Sequence, residues 1–206
     1  SLDRALLVPQ PGGWTPGGRT RGRDRLALPL KPGSLPRSGT IDFWFRPTWH
    51  PLHPQHTFFQ MCHGYFGMEI RDMSPLFYAG QKTCPWMYYW EWGQAEGYAA
   101  DTWHHYALVW RAAGGATIYL DGQARAHVEQ VPAHALDPAR VGNLLILGGP
   151  RDGTMSLDPN VPGELDAYLA GFRLWEGALD SAGVLGAMEE SAPTPVEAAP
   201  PRRAAF

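Results

Sequence analysis

Apolar and polar residues alternate along this chain in short runs, with Gly and Pro between them. RLALPL (25–30) opens the pattern. GTIDFWFRP (39–47) is its strongest example: Ile41, Phe43 and Phe45 fall on one face, and Asp42, Trp44 and Arg46 on the other. That period of two is the mark of a strand. HTFFQMC (56–62), YFGMEIRD (65–72), PLFYAG (75–80) and the aromatic WMYYWEW (86–92) follow. HHYALVWR (104–111) and ATIYLDGQ (116–123) flank a hairpin loop at Ala112–Gly115, and Asp121-Gly122 predicts a tight turn with positive φ. NLLILGG (143–149) reads as a central strand and AYLAGFRLW (167–175) as the last. Only 181–190 reads as a helix, capped by Asp180 or Ser181. About ten strands spaced roughly 8–12 residues apart predict an all-β, two-sheet antiparallel sandwich with one short C-terminal helix.

Composition sharpens this picture. Twenty-four Gly and 20 Pro suit many turns, and 44% hydrophobic residues are enough for a full core. Residues 9–23 hold five Gly and three Pro, so 1–24 reads as an extended leader. SAPTPVEAAPPRRAAF (191–206) has the Pro/Ala composition of a linker or docking tail. The sandwich then occupies 25–190, and a linker implies a larger chain or assembly. A net charge of −3 gives no footprint for nucleic acid, and Arg19, Arg21, Arg23 and Arg25 read as part of the solvated leader. No apolar run approaches the roughly 20 residues of a membrane span. Ser1–Pro9 lacks the apolar stretch of a signal peptide, so the N-terminus reads as a processing boundary. The two cysteines, Cys62 and Cys84, are either bridged or two reduced, buried thiols. A bridge would contribute roughly 3 kcal/mol.

Three segments resemble a known family, in its order. GTIDFWFRPTW is similar to the opening strand of laminin-G-like and concanavalin-A-like jelly rolls. WHHYALVWRAAGGATIYLDGQ resembles their central hairpin, and GELDAYLAGFRLWEGALDSAGVLGAM their ending. The resemblance implies a secreted, periplasmic or cell-surface module. Members include carbohydrate-binding and adhesion modules as well as glucanases and lyases. It also implies one structural Ca²⁺ near the chain ends, with Asp166 at the matching position and Asp24 as a partner from the N-terminal side.

The residues argue against catalysis. A retaining glucanase needs two carboxylates about 5–5.5 Å apart. Glu164-Leu165-Asp166 is followed by Leu169 where a third carboxylate of the motif would fall, and Glu91 stands alone among aromatics. A lyase would use a Tyr/His pair, and His104 and Tyr106 share a strand face, but the hairpin position suggests that the histidines pack or bond to backbone. His50, His53, His56 and His63 could approach a zinc only as a loop, because Pro51 and Pro54 forbid a helix; a solvated loop is the simpler reading.

Ligand binding points to the aromatics. Trp86, Tyr88, Trp90 and Trp92 share one face of a strand, and Met87, Tyr89 and Glu91 the other. Rings roughly 6.5–7 Å apart can stack on sugar faces, or the Trp face can be core with Tyr89 and Glu91 outward. Trp49, in loop-like sequence, is a further candidate. The expectation is a non-catalytic, carbohydrate-directed binding module. The alternatives are a structural or assembly domain using the same aromatics against protein, and a glycan-active hydrolase or lyase.

Overall fold

The structure, a computed structural model, describes residues 26–31, 33–47, 55–61, 66–71, 74–79, 102–112, 114–131, 144–147 and 167–193. Among the described residues ten strands and one helix form in chain order: β1 (Leu26–Pro29), β2 (Gly39–Pro47), β3 (Gln55–Met61), β4 (Phe66–Arg71), β5 (Ser74–Ala79), β6 (His104–Trp110), β7 (Ala116–Leu120), β8 (Gln123–Val128), β9 (Leu144–Leu147), β10 (Ala167–Glu176) and α1 (Ser181–Glu190). They build two five-stranded antiparallel sheets, ordered β1-β9-β3-β4-β5 and β10-β2-β6-β7-β8. The expected sandwich is present, and β9 is an interior strand as its apolar run predicts.

The inner faces meet in one core. Ile41, Phe43 and Phe45 from β2, Tyr106, Leu108 and Trp110 from β6, and Phe58, Phe59 and Met61 from β3 are all fully buried in it. Phe43 touches Phe58, Tyr106 and Phe172 at ring-centroid distances of 5.2, 5.9 and 5.6 Å. Such offset and tilted ring pairs add to the gain from apolar burial.

Two departures from strict alternation shape the molecule. Phe58 and Phe59 are consecutive, yet both are buried, because the β3–β4 register shifts between Thr57 and Phe59 and the bulge turns both rings inward. In β10 the register to β2 shifts between Ala170 and Arg173, and Gly171 sits there at φ 59°. One extra residue reverses the parity of every side chain beyond it. Leu169 and then Phe172 pack toward the core, while Arg173 and Trp175 turn to the outer face, where they meet Asp42.

That outer face is not solvent. All seven residues of β6 and all five of β7 are buried. A second apolar cluster joins Ala107, Val109 and Tyr119 of the sheet to Val184 of α1. The central part of this sheet is therefore covered on both sides, which explains why β6 carries an apolar residue at nearly every step. Asp180 caps α1, its side chain accepting from Gly183 N at 2.8 Å. Asp121 and Gly122 form the expected two-residue turn with φ 48° and 75°, and a Cβ on Gly122 would strike Leu185 of α1.

Gly171→Ala tests the β10 bulge. A left-handed backbone costs an L-residue about 1–2 kcal/mol, and the new Cβ would sit 3.3 Å from Ser191 Cβ. Denaturant unfolding is expected to show a loss of at least that size. An unchanged midpoint would mean that the bulge is not held as described.

Candidate functional site

Asp42 lies at the middle of β2 on the face that α1 covers, and it is fully buried. A carboxylate there needs donors, because its burial unpaired would cost several kcal/mol. Three side chains supply them. His105 of β6 donates from Nε2 to Oδ2 at 3.1 Å, and Trp175 of β10 donates from Nε1 to Oδ1 at 2.5 Å. Arg173 of β10 donates from Nη2 to Oδ2 at 2.5 Å and from Nε to both oxygens at 3.2 Å. Donation to the carboxylate places the His105 proton on Nε2; Nδ1 has no hydrogen-bond partner among the described residues. Burial raises the Asp42 carboxyl. Hydrogen bonds from His105, Arg173 and Trp175, with the Arg173 charge, outweigh it, so the group titrates below the ordinary carboxylate range.

Arg173 carries the network into the helix. Its Nη2 also donates to the Ala187 carbonyl and to Ser191 Oγ, the latter at 2.9 Å. Ser191 Oγ in turn accepts from Trp44 Nε1 at 3.1 Å and donates to the Ala187 carbonyl at 2.8 Å. At the other end of α1, Thr40 Oγ1 donates to the Gly177 carbonyl at 3.1 Å and accepts from Leu179 N at 3.0 Å. Two histidines that are neighbours in sequence thus take opposite sides of the sheet. His105 faces Asp42, while His104 packs beside Phe45 in the core and meets Asp121 Oδ2 at 2.9 Å through Nδ1. Asp121 Oδ1 also accepts the His105 backbone N–H at 2.8 Å. Burial raises the Asp121 carboxyl, but the His104 and His105 hydrogen bonds and the nearby histidine charges bring it net below the ordinary range.

The paired histidines pack, as expected of the hairpin position, and their rings also meet the carboxylates of Asp121 and Asp42; Tyr106 beside them is fully buried against Phe45 at 5.0 Å. The His104/Tyr106 combination points into the core.

The upper end of the same outer face is different. Arg46, at the end of β2, lies between two half-buried rings, 4.3 Å from the centroid of Tyr168 and 5.5 Å from that of Trp103. Trp44 is half-buried one step down the strand, its ring 5.2 Å from His105. Tyr168, Arg46 and Trp103 form one row across β10, β2 and the entry to β6, since Tyr168 pairs with Arg46 and Phe45 with His104. Alternation along the sequence did not reveal this row. Its signal was present: Arg46 closes the outward set of β2, and Trp103 precedes the paired histidines.

Trp49, Trp86, Tyr88, Tyr89, Trp90, Glu91, Trp92, Asp24, Asp166, Cys62 and Cys84 lie outside the described residues, as does Glu164. The strand ends next to several of them converge. Pro47, which precedes Trp49 by two positions, pairs with Ala167, which follows Asp166. The described chain resumes at Thr102, next to Trp103, after the segment that carries Trp86–Trp92. Of the four clustered histidines only His56 falls on a described strand, β3. Among the described residues no three His, Cys, Asp or Glu side chains gather as a metal site, and no helix is long and apolar enough to cross a membrane.

A model of the Laminin_G_3 family, described as the concanavalin A-like lectin/glucanases superfamily, matches residues 21–184. No curated protein matches the sequence. Solved structures similar to the chain include one of botulinum neurotoxin type C, whose cell entry is described as dependent upon interaction with two ganglioside molecules. It has a TM-score of 0.64 at 12% identity, over 83% of this chain and 41% of that one. The botulinum neurotoxin serotype D binding domain aligns with a TM-score of 0.60 at 12% identity, over 84% and 42%. The binding domain of serotype D/C aligns with a TM-score of 0.57 at 13% identity, over 74% and 36%. The chain therefore spans about two-fifths of the length of these structures, and at such identity the likeness is one of fold.

The Asp42 network carries a pH prediction. A depressed folded-state pKa contributes stability that is complete above the unfolded carboxylate value of about 4 and is lost as pH falls through the lower folded value. Asp42→Asn removes the buried partner of Arg173 and leaves it, among the described residues, only the exposed Glu190 carboxylate, 3.3 Å from Nη1, so it should cost up to about 3 kcal/mol at neutral pH. It should also flatten the acid limb of a stability–pH curve. An acid limb identical to that of the parent chain would show that Asp42 does not carry it.

Proposed function

The chain belongs to the Laminin_G_3 family of the concanavalin A-like lectin/glucanases superfamily, and from that premise we propose that it is a non-catalytic binding module directed to carbohydrate, in a secreted, periplasmic or cell-surface protein. The Tyr168–Arg46–Trp103 row carries this reading. Arg46 fixes two rings at the rim of the sheet, so little order remains to be imposed when a ligand arrives. Rings held in this way can stack on the apolar faces of sugars, gaining about 25 cal/mol for each Å² of apolar surface removed from water. Trp49 and the Trp86–Trp92 aromatics, with Glu91 as a polar contact, extend the same surface in this proposal, because the chain next to them leads to the same strand ends.

The ionisable groups at the centre of the described sheet support the non-catalytic half. Asp42, His105 and Arg173 are engaged with one another, as are His104 and Asp121, and the central groups are buried. The ganglioside interaction belongs to a toxin chain of which this chain covers 41%. Gangliosides therefore enter only as one class in a glycan panel. A structural Ca²⁺ held by Asp24 and Asp166 completes the proposal, its contribution being to fix the chain near the rim.

Affinity electrophoresis and glycan arrays test the reading. Retardation by at least one polysaccharide or glycan, reduced about tenfold or more by Trp103→Ala and by Tyr168→Ala, is the expected outcome. Failure to bind any glycan, with capture by a protein surface through the same residues, would favour the assembly reading. Turnover of a polysaccharide that Glu91→Gln abolishes would overturn the non-catalytic assignment. For the metal, Ca²⁺ is expected to raise the melting temperature of the parent chain and not of Asp166→Ala; an equal response in both would remove Asp166 from the site.

A further inference from the structure

Helix α1 is held to the sheet differently at its two ends. At the N-terminal end, Ala178 and Leu179 pack with Val184 against Ala107, Val109 and Tyr119, and Asp180 caps the first turn. Thr40 Oγ1 adds its bond from Leu179 N at 3.0 Å. At the C-terminal end the hold is mostly polar. Ser191 Oγ accepts from Trp44 Nε1 at 3.1 Å and from Arg173 Nη2 at 2.9 Å, and Arg173 also donates to the Ala187 carbonyl. Of Gly186–Glu190 only Ala187 is buried, and Gly186, Glu189 and Glu190 are exposed. Glu190 meets Arg173 Nη1 at 3.3 Å, but from an exposed position where an ion pair contributes little. The helix has little strength of its own. Its ten residues fall short of the roughly 12–15 that an isolated helix needs in water. Gly183 and Gly186 weaken it, and Glu189 and Glu190 stand in the last turn, where the backbone carbonyls already gather negative charge.

We infer that the C-terminal half of α1, from Gly186 to Ser191, is a strap that unfastens from the sheet while the Asp42 cluster beside it stays closed. A segment with few buried apolar contacts opens before the rest of a domain, and here the polar latch is what a local opening has to break. The cluster has its own hold. Asp42 keeps His105, Trp175 and Arg173 Nε, all donors from the two neighbouring strands. Two indoles therefore mark the boundary. Trp44 Nε1 bonds to the strap through Ser191 Oγ, and Trp175 Nε1 bonds to Asp42 Oδ1 within the sheet. Unfastening releases Trp44 Nε1 and Arg173 Nη2 from the helix and leaves Trp175 in place. The strap thus decides whether these two donors are spent on the helix or left for another acceptor.

Native-state hydrogen exchange of the full chain, followed by NMR at low denaturant concentrations, provides the test. The Glu190 and Ser191 amides and the Trp44 indole N–H are expected to exchange as one set, through an opening that low denaturant hardly changes. That opening should be populated about tenfold or more above the one that exposes the Leu108 amide and the Trp175 indole N–H. Two variants separate the sets. Gly186→Ala adds a Cβ that meets nothing within 4 Å, so it strengthens the helix without a new contact. It should slow the fast set about four- to fivefold. Ile118→Val trims the buried core at β7. It should speed the slow set several-fold and leave the fast set unchanged. Trp44 and Trp175 indoles that exchange together at the Leu108 level would overturn the strap. So would a fast set that Ile118→Val speeds equally or that Gly186→Ala leaves untouched.

Discussion

A buried carboxylate cannot be left without donors, and in this chain that requirement ties distant segments together. Asp42 stands at the middle of β2, on the side of the sheet that a helix covers. Its oxygens are reached by His105 from one neighbouring strand and by Arg173 and Trp175 from the other. Arg173 then continues into the helix through Ala187 and Ser191. The three segments that resemble the laminin-G family are far apart in sequence, and this is where they meet: the first brings the acid, the second the imidazole, the third the guanidinium, the indole and the helix. Replacing such a cluster with apolar residues can be neutral in energy, whereas removing one member strands the others. The network therefore specifies which face of each strand turns outward more than it adds to net stability.

The Gly171 bulge makes that arrangement possible. Without the extra residue, Arg173 and Trp175 would point into the Phe43–Phe59 core and Phe172 would point under the helix. The cost is a left-handed backbone at Gly171, where glycine carries no Cβ penalty. Ser191 packs directly over this position, so the bulge and the end of α1 fit as one unit.

Most of the architecture was legible from alternation and turn residues. β2 and α1 run over the residues that the pattern marked, and the Asp121-Gly122 turn has the backbone that its residues demand. The bulges were not legible. Phe58-Phe59 and Gly171 read as ordinary strand because a single inserted residue leaves the local composition unchanged. Nor was the second covered face visible. Asp42 and His105 look like outward polar positions until Arg173 and Trp175 close on the carboxylate and α1 packs on the same face of the sheet. An Asp flanked by Ile41 and Phe43 was the available hint, since its burial would require partners on both neighbouring strands. The candidate ligand surface was legible only as an excess of aromatics. Which rings share a row depends on register across three strands, and Arg46 joins Tyr168 and Trp103 through pairing that lies far apart in sequence.

The claim that one carboxylate organises the outer face is tested most directly by a double-mutant cycle on Asp42→Ala and Arg173→Ala, read as unfolding free energy at neutral pH. Residues in a shared buried network couple by about 0.5–3 kcal/mol, and the two here are predicted to lie at the upper end, with the double variant far less damaged than the sum of the single ones. Additivity within about 0.3–0.5 kcal/mol would contradict the account, because it would mean that Arg173 and Asp42 hold the sheet and helix independently.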